Sequence, residues 1–184
     1  PAAVLGGPGL GAQRAAGLAA FPGVGGGGRA RRHAQVLLDL TKAFEMVRHG
    51  HLARAARKHG YCLTILRLAI AAYRAPRTIS IEGLFSRLIH AERSITAGSG
   101  FATFELEVLL RDVMDMLDRR WPEVDGTLFI DDLSLGSGEG CADADIVVAG
   151  AATHAIAHMQ DELDLVISRK SVAVADRFAH AKVL

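Results

Sequence analysis

The stretch GTLFIDDLSLG, residues 126–136, joins two short apolar segments through the acidic pair Asp131–Asp132. Apolar segments on both sides of a polar dipeptide predict a tight β-hairpin that carries the two carboxylates at its turn. Much earlier in the chain, QVLLDL (35–40) is an apolar run typical of a buried strand, and Asp39 lies near its end. If these strands are neighbours in one sheet, the three carboxylates converge.

The remaining patterns predict helices and further hairpins. Apolar residues recur at helical spacing in four segments, which are 51–60, 63–73, 101–120 and 142–163. Alternating segments predict a hairpin over 77–95 and a closing strand pair formed by LVISRK and SVAVA, residues 165–175. This order predicts an α+β fold in which a mostly antiparallel sheet packs against helices.

Composition narrows the class of protein. The chain has 184 residues, of which 50% are hydrophobic and 22% charged, so a globular domain is expected and a wholly disordered chain is excluded. No apolar run approaches the roughly 20 residues that a membrane-spanning helix needs. Cys62 and Cys141 are too few for a disulfide framework and are expected to be free thiols. We expect an intracellular protein, either nuclear or cytoplasmic.

Residues 1–34 differ from the rest of the chain. Ten of the 20 glycines lie within residues 1–28, with a single charged residue, Arg14. Such a segment buries too little side-chain surface to fold, so we expect residues 1–34 to be disordered or unrelated to the domain, which spans 35–184.

Charge is distributed unevenly. Residues 29–93 contain 13 Lys and Arg against 4 Asp and Glu, whereas residues 94–164 contain 3 against 15. This asymmetry suits a protein that holds a polyanion on one surface and cations at carboxylates on another. The alternative is that the two surfaces are simply solvated and attract each other.

Converging carboxylates need a partner. Two of them about 4 Å apart repel by about 4 kcal/mol at an effective dielectric of 20, so a site that gathers them requires a divalent cation or a proton. Hard oxygen ligands favour Mg²⁺ or Mn²⁺, and two such ions can stabilise both the attacking and the leaving oxygen of a phosphoryl displacement. The alternative is that Asp39 caps the following turn and Asp131–Asp132 form a solvated turn.

Four segments, in this order, resemble the motifs of reverse transcriptases of the non-LTR retrotransposon type. LLDLTKAFEMVRHGHL (37–52) resembles motif A, and LFIDDLSL (128–135) resembles motif C with Phe129 in its aromatic position. Between them RSITAGSGFATFELEVLL (93–110) resembles motif B, and LVISRKSVAVA (165–175) resembles motif D. The resemblance implies a polymerase palm with RNA-directed DNA polymerase activity, encoded by a mobile element.

The resemblance implies roles for the matching residues. Asp39 and Asp131 would be the main ligands of two Mg²⁺ or Mn²⁺ ions, with Asp132 contributing charge and the Leu40 backbone carbonyl acting as an accessory ligand. The substrates would be deoxynucleoside triphosphates and an RNA or DNA template-primer, with catalysis adding deoxynucleotides to the primer 3′-hydroxyl.

Four more residues match substrate-side positions of the family. Phe44 would be the steric gate that excludes a ribose 2′-hydroxyl, and Lys170 would lie near the triphosphate as a point charge or proton donor. Arg93 and Gly98 match an Arg and a Gly of motif B, where glycine allows close backbone approach. The alternatives are that Phe44 is an ordinary core residue and Lys170 a solvated one.

The sequence also departs from the family. Where motif B usually has Gln before its Gly and Ser-Pro after it, this chain has Ala97 and Ala102–Thr103. Only the Gly/Ala-rich segment precedes motif A and little follows motif D, so we expect that fingers, thumb or other retroelement domains are missing. These departures keep open a non-catalytic remnant that retains the palm fold and at most binds nucleic acid or a partner. A nucleotide cyclase on a similar sheet is a third possibility.

Overall fold

The computed structural model describes residues 4–5, 33–96, 98–137 and 141–175. The strands are β1 (Val4–Leu5), β2 (Ala34–Leu38), β3 (Ser80–Ile81), β4 (Leu84–Phe85), β5 (Val124–Phe129), β6 (Asp132–Ser137) and β7 (Val172–Ala175). The helices are α1 (Ala43–Met46), α2 (His49–Lys58), α3 (Leu63–Tyr73), α4 (Ala102–Arg120) and α5 (Ala144–Ala157), and α5 continues as the π-helical turn His158–Glu162.

The main sheet has five strands in the order β1-β5-β6-β2-β7. The hairpin β5–β6 lies beside β2, which pairs in antiparallel fashion with β6 on one edge and with β7 on the other. The short strand β1 pairs with β5 in parallel. The expected α+β, palm-like architecture with a mostly antiparallel sheet is therefore confirmed.

The core lies between this sheet and helices α4 and α5. Ala34, Val36 and Leu38 of β2 are buried, while the residues between them are half-buried, which is the alternation of a strand with one covered face. Helix α4, 19 residues long, buries an apolar stripe made of Leu106, Leu109, Leu110, Val113, Met114 and Leu117. Burial of apolar surface of this kind stabilises a fold by about 25 cal/mol per Å².

Small residues let α5 approach its neighbours closely. Ala151, Ala152 and Ala155 are buried on this helix. A Cβ atom added at Gly150 would lie 2.4 Å from the ring of Trp121, which follows α4. Glycine is therefore required at position 150 for α5 to pack beside the end of α4.

Helix predictions agree with the structure. Helix α3 has the predicted bounds, and α4 begins one residue later than expected. Gly60 adopts a φ of 71° just after α2, in agreement with its predicted role in ending that helix. No described helix has both the length and the apolar character needed to cross a membrane.

The predicted hairpin over 77–95 is present but small. Strands β3 and β4 pair through two residues each, and Glu82 and Gly83 between them have positive φ angles. Both strands are exposed to solvent. The hairpin therefore projects from the domain instead of adding to the main sheet.

The predicted pairing of LVISRK with SVAVA is wrong. Both segments instead follow the same edge of β2 and its continuation: Val172 lies opposite Leu37, whereas Ile167 forms a bridge with Leu40. Between these two pairs, β2 and its continuation advance by three residues, whereas the opposing segment advances by five. The two extra residues are accommodated in a bulge at 168–171. Two apolar segments close in sequence need not form a hairpin when a third strand offers both of them a free edge.

The predicted boundary at residue 34 falls mainly outside the described residues, since 1–3 and 6–32 are not described. Val4 and Leu5 pair with Thr127 and Leu128 of β5, and β2 begins at Ala34, which is buried.

Candidate metal and nucleotide site

Strand register brings the three predicted aspartates to one end of the sheet. Leu38 of β2 lies opposite Leu133 of β6, so Asp39 and Asp132 occupy facing positions one residue further along. Asp131 lies in the turn that joins β5 to β6. The expectation that β2 and the hairpin are neighbours is confirmed, and the register brings Asp39, Asp131 and Asp132 to the same end of the sheet.

The turn that carries Asp131 has an unusual backbone. Phe129 pairs with Asp132, so the turn consists of Ile130 and Asp131 alone. Ile130 has a φ of 59°, a left-handed conformation that a β-branched side chain rarely adopts. Two-residue hairpins with this geometry normally place glycine there. Backbone strain of this kind persists where the surroundings enforce it, and it clusters at functional sites.

The pKa values of Asp131 and Asp132 are raised. Burial raises the pKa of Asp131, and the charge of Asp39 adds to this effect, while a hydrogen bond from the backbone amide of Asp131 opposes it. Burial also raises the pKa of Asp132, with further contributions from the charges of Asp131 and Asp39. Asp131 lines a small void beside the apolar side chains of Leu40 and Met159, which explains its desolvation.

In the described part of the chain, no side-chain cation pairs with these carboxylates. Within the described residues, no Lys, Arg or His nitrogen lies within 4.0 Å of a carboxylate oxygen of Asp39, Asp131 or Asp132. The ligand atoms of the three side chains are not all within 4.8 Å of one another, as expected for carboxylates that repel. Uncompensated, partly buried oxygen donors fit a hard divalent cation such as Mg²⁺ or Mn²⁺.

The bulge next to Asp39 fixes the backbone of that residue. The amide of Asp39 donates to Ser171 Oγ at 3.1 Å, and the amide of Ser168 donates to the Asp39 carbonyl at 2.8 Å. Lys170 lies in the same bulge, with an exposed side chain. Leu40 is buried and is held by its bridge to Ile167. The structure therefore brings Lys170 and Leu40 to the strand end that carries Asp39.

Phe44 and the predicted motif B residues lie outside the main sheet, in α1 and in the segment between β4 and α4. Phe44, in α1, is half-buried and packs against the core, and its carbonyl accepts the amide of Ile95 at 2.8 Å. Arg93 is exposed, forms a backbone bridge with Arg48 and places Nη1 3.9 Å from Met46 Sδ. Gly98 is exposed and has a φ of 89°.

Arg93 and Gly98 are not joined to the aspartates. No hydrogen bond or ion pair connects either residue with the three carboxylates among the residues that the structure describes. The glycine at position 98 does satisfy a conformational requirement, since its positive φ would strain a residue with a side chain. Ala97, the position of the usual motif B Gln, lies outside the described residues.

A second carboxylate group was not predicted. His59, Asp112 and Asp115 have ligand atoms that all lie within 4.8 Å of one another. His59 Nε2 and Lys58 Nζ lie 2.8 and 2.7 Å from Asp112 Oδ1, and Arg111 Nε lies 3.1 Å from Asp115 Oδ1. Burial acts to raise the pKa of Asp112, but the hydrogen bonds and charges of Lys58 and His59 outweigh it and lower that pKa. This group ties the end of α2 to α4 with charges that are already balanced.

Sequence reasoning also missed a buried polar group around α4. Glu105 is fully buried and receives a hydrogen bond from Tyr73. Its position could have been noticed, because Glu105 lies three residues after Ala102 and four before Leu109, on the apolar face of the predicted helix.

Comparison with known proteins supports the fold. No protein-family model matches the sequence, and no curated protein matches it. A solved structure of apo telomerase from Candida tropicalis, truncated of its C-terminal domain, aligns with a TM-score of 0.58 and 10% identity, over 79% of this chain and 31% of that one. The apo telomerase of the same organism aligns with a TM-score of 0.61 and 8% identity, over 79% of this chain and 29% of that one.

Telomerase from Candida albicans, solved with the TWJ fragment of telomeric RNA, gives a TM-score of 0.58 at 10% identity over 90% of this chain. This chain shares its fold with part of these telomerases. It spans about 30% of the length of the matched structures. At this level of identity the likeness concerns the fold alone.

Proposed function

We propose that this chain is a reverse transcriptase-like palm of the non-LTR retrotransposon type, which performs RNA-directed DNA polymerisation by two-metal nucleotidyl transfer. The observation that carries the proposal is the register that places Asp39, Asp131 and Asp132 at the ends of β2 and β6, where no cation of the described residues lies within ion-pair distance of them. The likeness in fold to solved telomerases, one of them in complex with RNA, supports it.

Asp39 and Asp131 would hold two Mg²⁺ or Mn²⁺ ions, with Asp132 adding charge and the Leu40 carbonyl serving as an accessory ligand. When bound, the ions would neutralise the triphosphate and lower the pKa of the primer 3′-hydroxyl. The bulge at 168–171 would orient Asp39 through its backbone, and exposed Lys170 would donate a proton to the departing pyrophosphate.

Phe44 would exclude ribonucleotides, and Arg93 and Gly98 would contact the nucleotide and template. The half-buried ring of Phe44 is held against the core, so it could act as a rigid wall beside the sugar. An RNA or DNA template-primer and deoxynucleoside triphosphates are thus the proposed partners. Action on such substrates would place the protein in the nucleus or cytoplasm, together with fingers, thumb or other retroelement domains from outside residues 35–184.

The test is primer extension on an RNA template with Mg²⁺ or Mn²⁺, comparing wild type with Asp131→Asn. Asp112→Asn is the matched control, since Asp112 is also a half-buried aspartate but is paired with Lys58 and His59. We expect Asp131→Asn to lower the rate at least about 100-fold, the usual scale for removing one preorganised electrostatic contact. Equal losses in both variants at equal stability would contradict the proposal.

Phe44→Ala sharpens the substrate assignment. In an active protein it should increase incorporation of ribonucleotides relative to deoxynucleotides, and unchanged selectivity would refute the steric gate.

The second candidate is a non-catalytic remnant that keeps the palm fold and at most binds nucleic acid or a partner. It is favoured by Ala102, which starts α4 as a buried residue where the family has Ser. Retained binding of a primer-template duplex without any extension would select this candidate, whereas extension would exclude it.

A further inference from the structure

The backbone of Asp39 lacks a regular strand partner on the side of β7. Continued in regular register, the pairing of β2 with β7 would place Asp39 opposite Lys170. Leu40 instead bridges Ile167, two residues earlier than this register requires. The bulge therefore takes away the carbonyl that a regular antiparallel ladder would offer to the Asp39 amide. Because a partly buried amide without an acceptor costs free energy, this position needs a substitute.

A serine side chain supplies the substitute. The Asp39 amide donates to Ser171 Oγ at 3.1 Å, across 132 residues of sequence. Among the residues that the structure describes, no backbone carbonyl accepts this amide. The Ser171 hydroxyl is thus the group on which the hydrogen bonding of the Asp39 amide depends.

Ser171 belongs to a turn that also holds the Asp39 carbonyl. Residues 168–171 form a turn closed by the Ser171 amide, which donates to the Ser168 carbonyl at 3.1 Å. Within it the Lys170 amide donates to Ser168 Oγ at 3.2 Å. The Ser168 amide donates to the Asp39 carbonyl at 2.8 Å. Both backbone groups of Asp39 are therefore bonded to one turn, and Lys170 is part of the same hydrogen-bonded unit.

The backbone of Asp39 determines where its carboxylate lies. Leu38 and Leu40 are buried, so the alternation of an extended segment directs the Asp39 side chain to the opposite face. The charge of Asp39 contributes to the raised pKa values of Asp131 and Asp132, so the three carboxylates repel one another in the absence of a cation. This repulsion favours movement of Asp39 away from the shared strand end, and its backbone hydrogen bonds oppose that movement.

We propose that Ser171 is the positioning residue of Asp39: its hydroxyl holds the Asp39 backbone so that the carboxylate stays at the strand end shared with Asp131 and Asp132, where it can take up a divalent cation. The cation half of this proposal rests on the proposed function. The dependence of the Asp39 amide on the Ser171 hydroxyl does not.

Two nearly isosteric side chains make a matched pair at position 171. Threonine keeps the hydroxyl, whereas valine has almost the same shape without it. Both add a methyl group, for which there is room, because Ser171 lines an open cavity of about 170 Å³ whose walls include Ala152 and Ala173. Ser137→Ala is the control, since Ser137 Oγ accepts the Ala34 amide at 3.3 Å at the opposite end of the same strand.

The cation half is tested by the affinity of the whole chain for Mn²⁺ alone, counting only the binding that Asp131→Asn abolishes. Ser171→Val should weaken this binding roughly 10-fold, the lower end of the range for groups that orient a metal ligand. Ser171→Thr and Ser137→Ala should bind as wild type does. Equal affinities of the valine and threonine variants would overturn the proposal, and so would an equal loss in Ser137→Ala.

The backbone half is tested by hydrogen exchange of the single Asp39 amide, followed by NMR in metal-free protein. In Ser171→Val this amide should exchange at least about 5-fold faster than in Ser171→Thr, the scale of one hydrogen bond. Amides within β2 should exchange at equal rates in the two variants. Equal exchange at Asp39 would overturn the proposal. Ser171→Ala, which adds no methyl group, serves in both measurements if the valine variant does not fold.

Together the two measurements distinguish failure of this proposal from failure of the proposed function. A wild type without Asp131-dependent Mn²⁺ binding would contradict the proposed cation site and, with it, the cation half. Faster exchange at Asp39 in that chain would still support the backbone half. Faster exchange together with unchanged Mn²⁺ affinity would show that the hydrogen bond does not position the carboxylate, and would overturn the positioning role.

Discussion

Two groups of aspartates in this chain have opposite electrostatic surroundings. At the ends of β2 and β6, Asp131 and Asp132 face Asp39, and burial with mutual repulsion raises their pKa values. Between α2 and α4, Asp112 is bonded to Lys58 and His59, and its pKa is lowered. The first group costs free energy in the folded protein, whereas the second contributes to stability. Carboxylates that the protein leaves unbalanced are the better candidates for binding an external cation.

The largest stability effect should come from breaking the balanced group. Asp112→Ala leaves Lys58 and half-buried His59 without their shared acceptor and should lower the free energy of unfolding by about 1–2 kcal/mol. Chemical denaturation of wild type and variant measures this. Asp118→Ala, an exposed aspartate on the same helix, is the control and should change stability by less than about 0.5 kcal/mol.

Removing a charge from the strand-end group of Asp39, Asp131 and Asp132 should instead stabilise the protein. Without divalent metal, Asp131→Asn should raise the free energy of unfolding by about 0.5–1 kcal/mol, because it removes one of three repelling charges and asparagine suits a turn. The same denaturation experiment, carried out with a chelator present, tests this. A clear loss of stability would show that the Asp131 charge is already balanced in the protein alone.

The contributions of the two groups to the free energy of unfolding should change with pH in opposite directions. The Asp112 contribution is present above the unfolded pKa of about 3.9 and is lost as pH falls through its lower folded pKa. For Asp131 and Asp132 the contribution favours folding below about pH 3.9 and is lost as pH rises through their higher folded pKa values.

Unfolding curves from pH 3 to pH 7 test this. As pH rises, the deficit of Asp112→Asn relative to wild type should grow, and so should the advantage of Asp131→Asn. Parallel curves for all three proteins would contradict both assignments.

The smallest effect is expected at the exposed side of the balanced group. Lys58 is 62% exposed, so Lys58→Ala should lower the free energy of unfolding by no more than about 0.5 kcal/mol despite its 2.7 Å contact with Asp112. The difference in free energy of unfolding between Asp112→Ala and Lys58→Ala then measures how much of the stabilisation by Asp112 comes from its contact with His59. A loss of stability in Lys58→Ala as large as that in Asp112→Ala would show that the contact with Lys58 provides this stabilisation.

The carboxylate-bearing strand ends could be predicted because local patterns determine them. Apolar residues around Asp39 and around Asp131–Asp132 indicated buried strands and a tight turn, and the register brought the strand ends together. The pattern of one segment does not show which strand edge a later segment will pair with. LVISRK and SVAVA looked like a hairpin, but both form hydrogen bonds along β2 and its continuation, separated by the bulge that holds Lys170.

Long-range polar contacts were the other part that sequence reasoning could not supply. The contact of Glu105 with Tyr73 spans 32 residues, and that of His59 with Asp112 spans 53. Each depends on how α2, α3 and α4 pack, which periodicity within one helix does not describe. The position of Glu105 on the apolar face of its helix indicated a buried polar residue. It did not identify Tyr73 as the hydrogen-bond partner of Glu105.

The most direct test of a cation site at the strand-end aspartates is the thermal midpoint with and without Mg²⁺ or Mn²⁺ for wild type, Asp131→Asn and Asp112→Asn. Metal at about 100 times its dissociation constant should stabilise the fold by about 2.7 kcal/mol, a shift of several degrees. We expect this shift in wild type and Asp112→Asn and its loss in Asp131→Asn. A folded wild type without any shift, or a shift lost only in Asp112→Asn, would contradict the claim that the strand-end aspartates form the cation site.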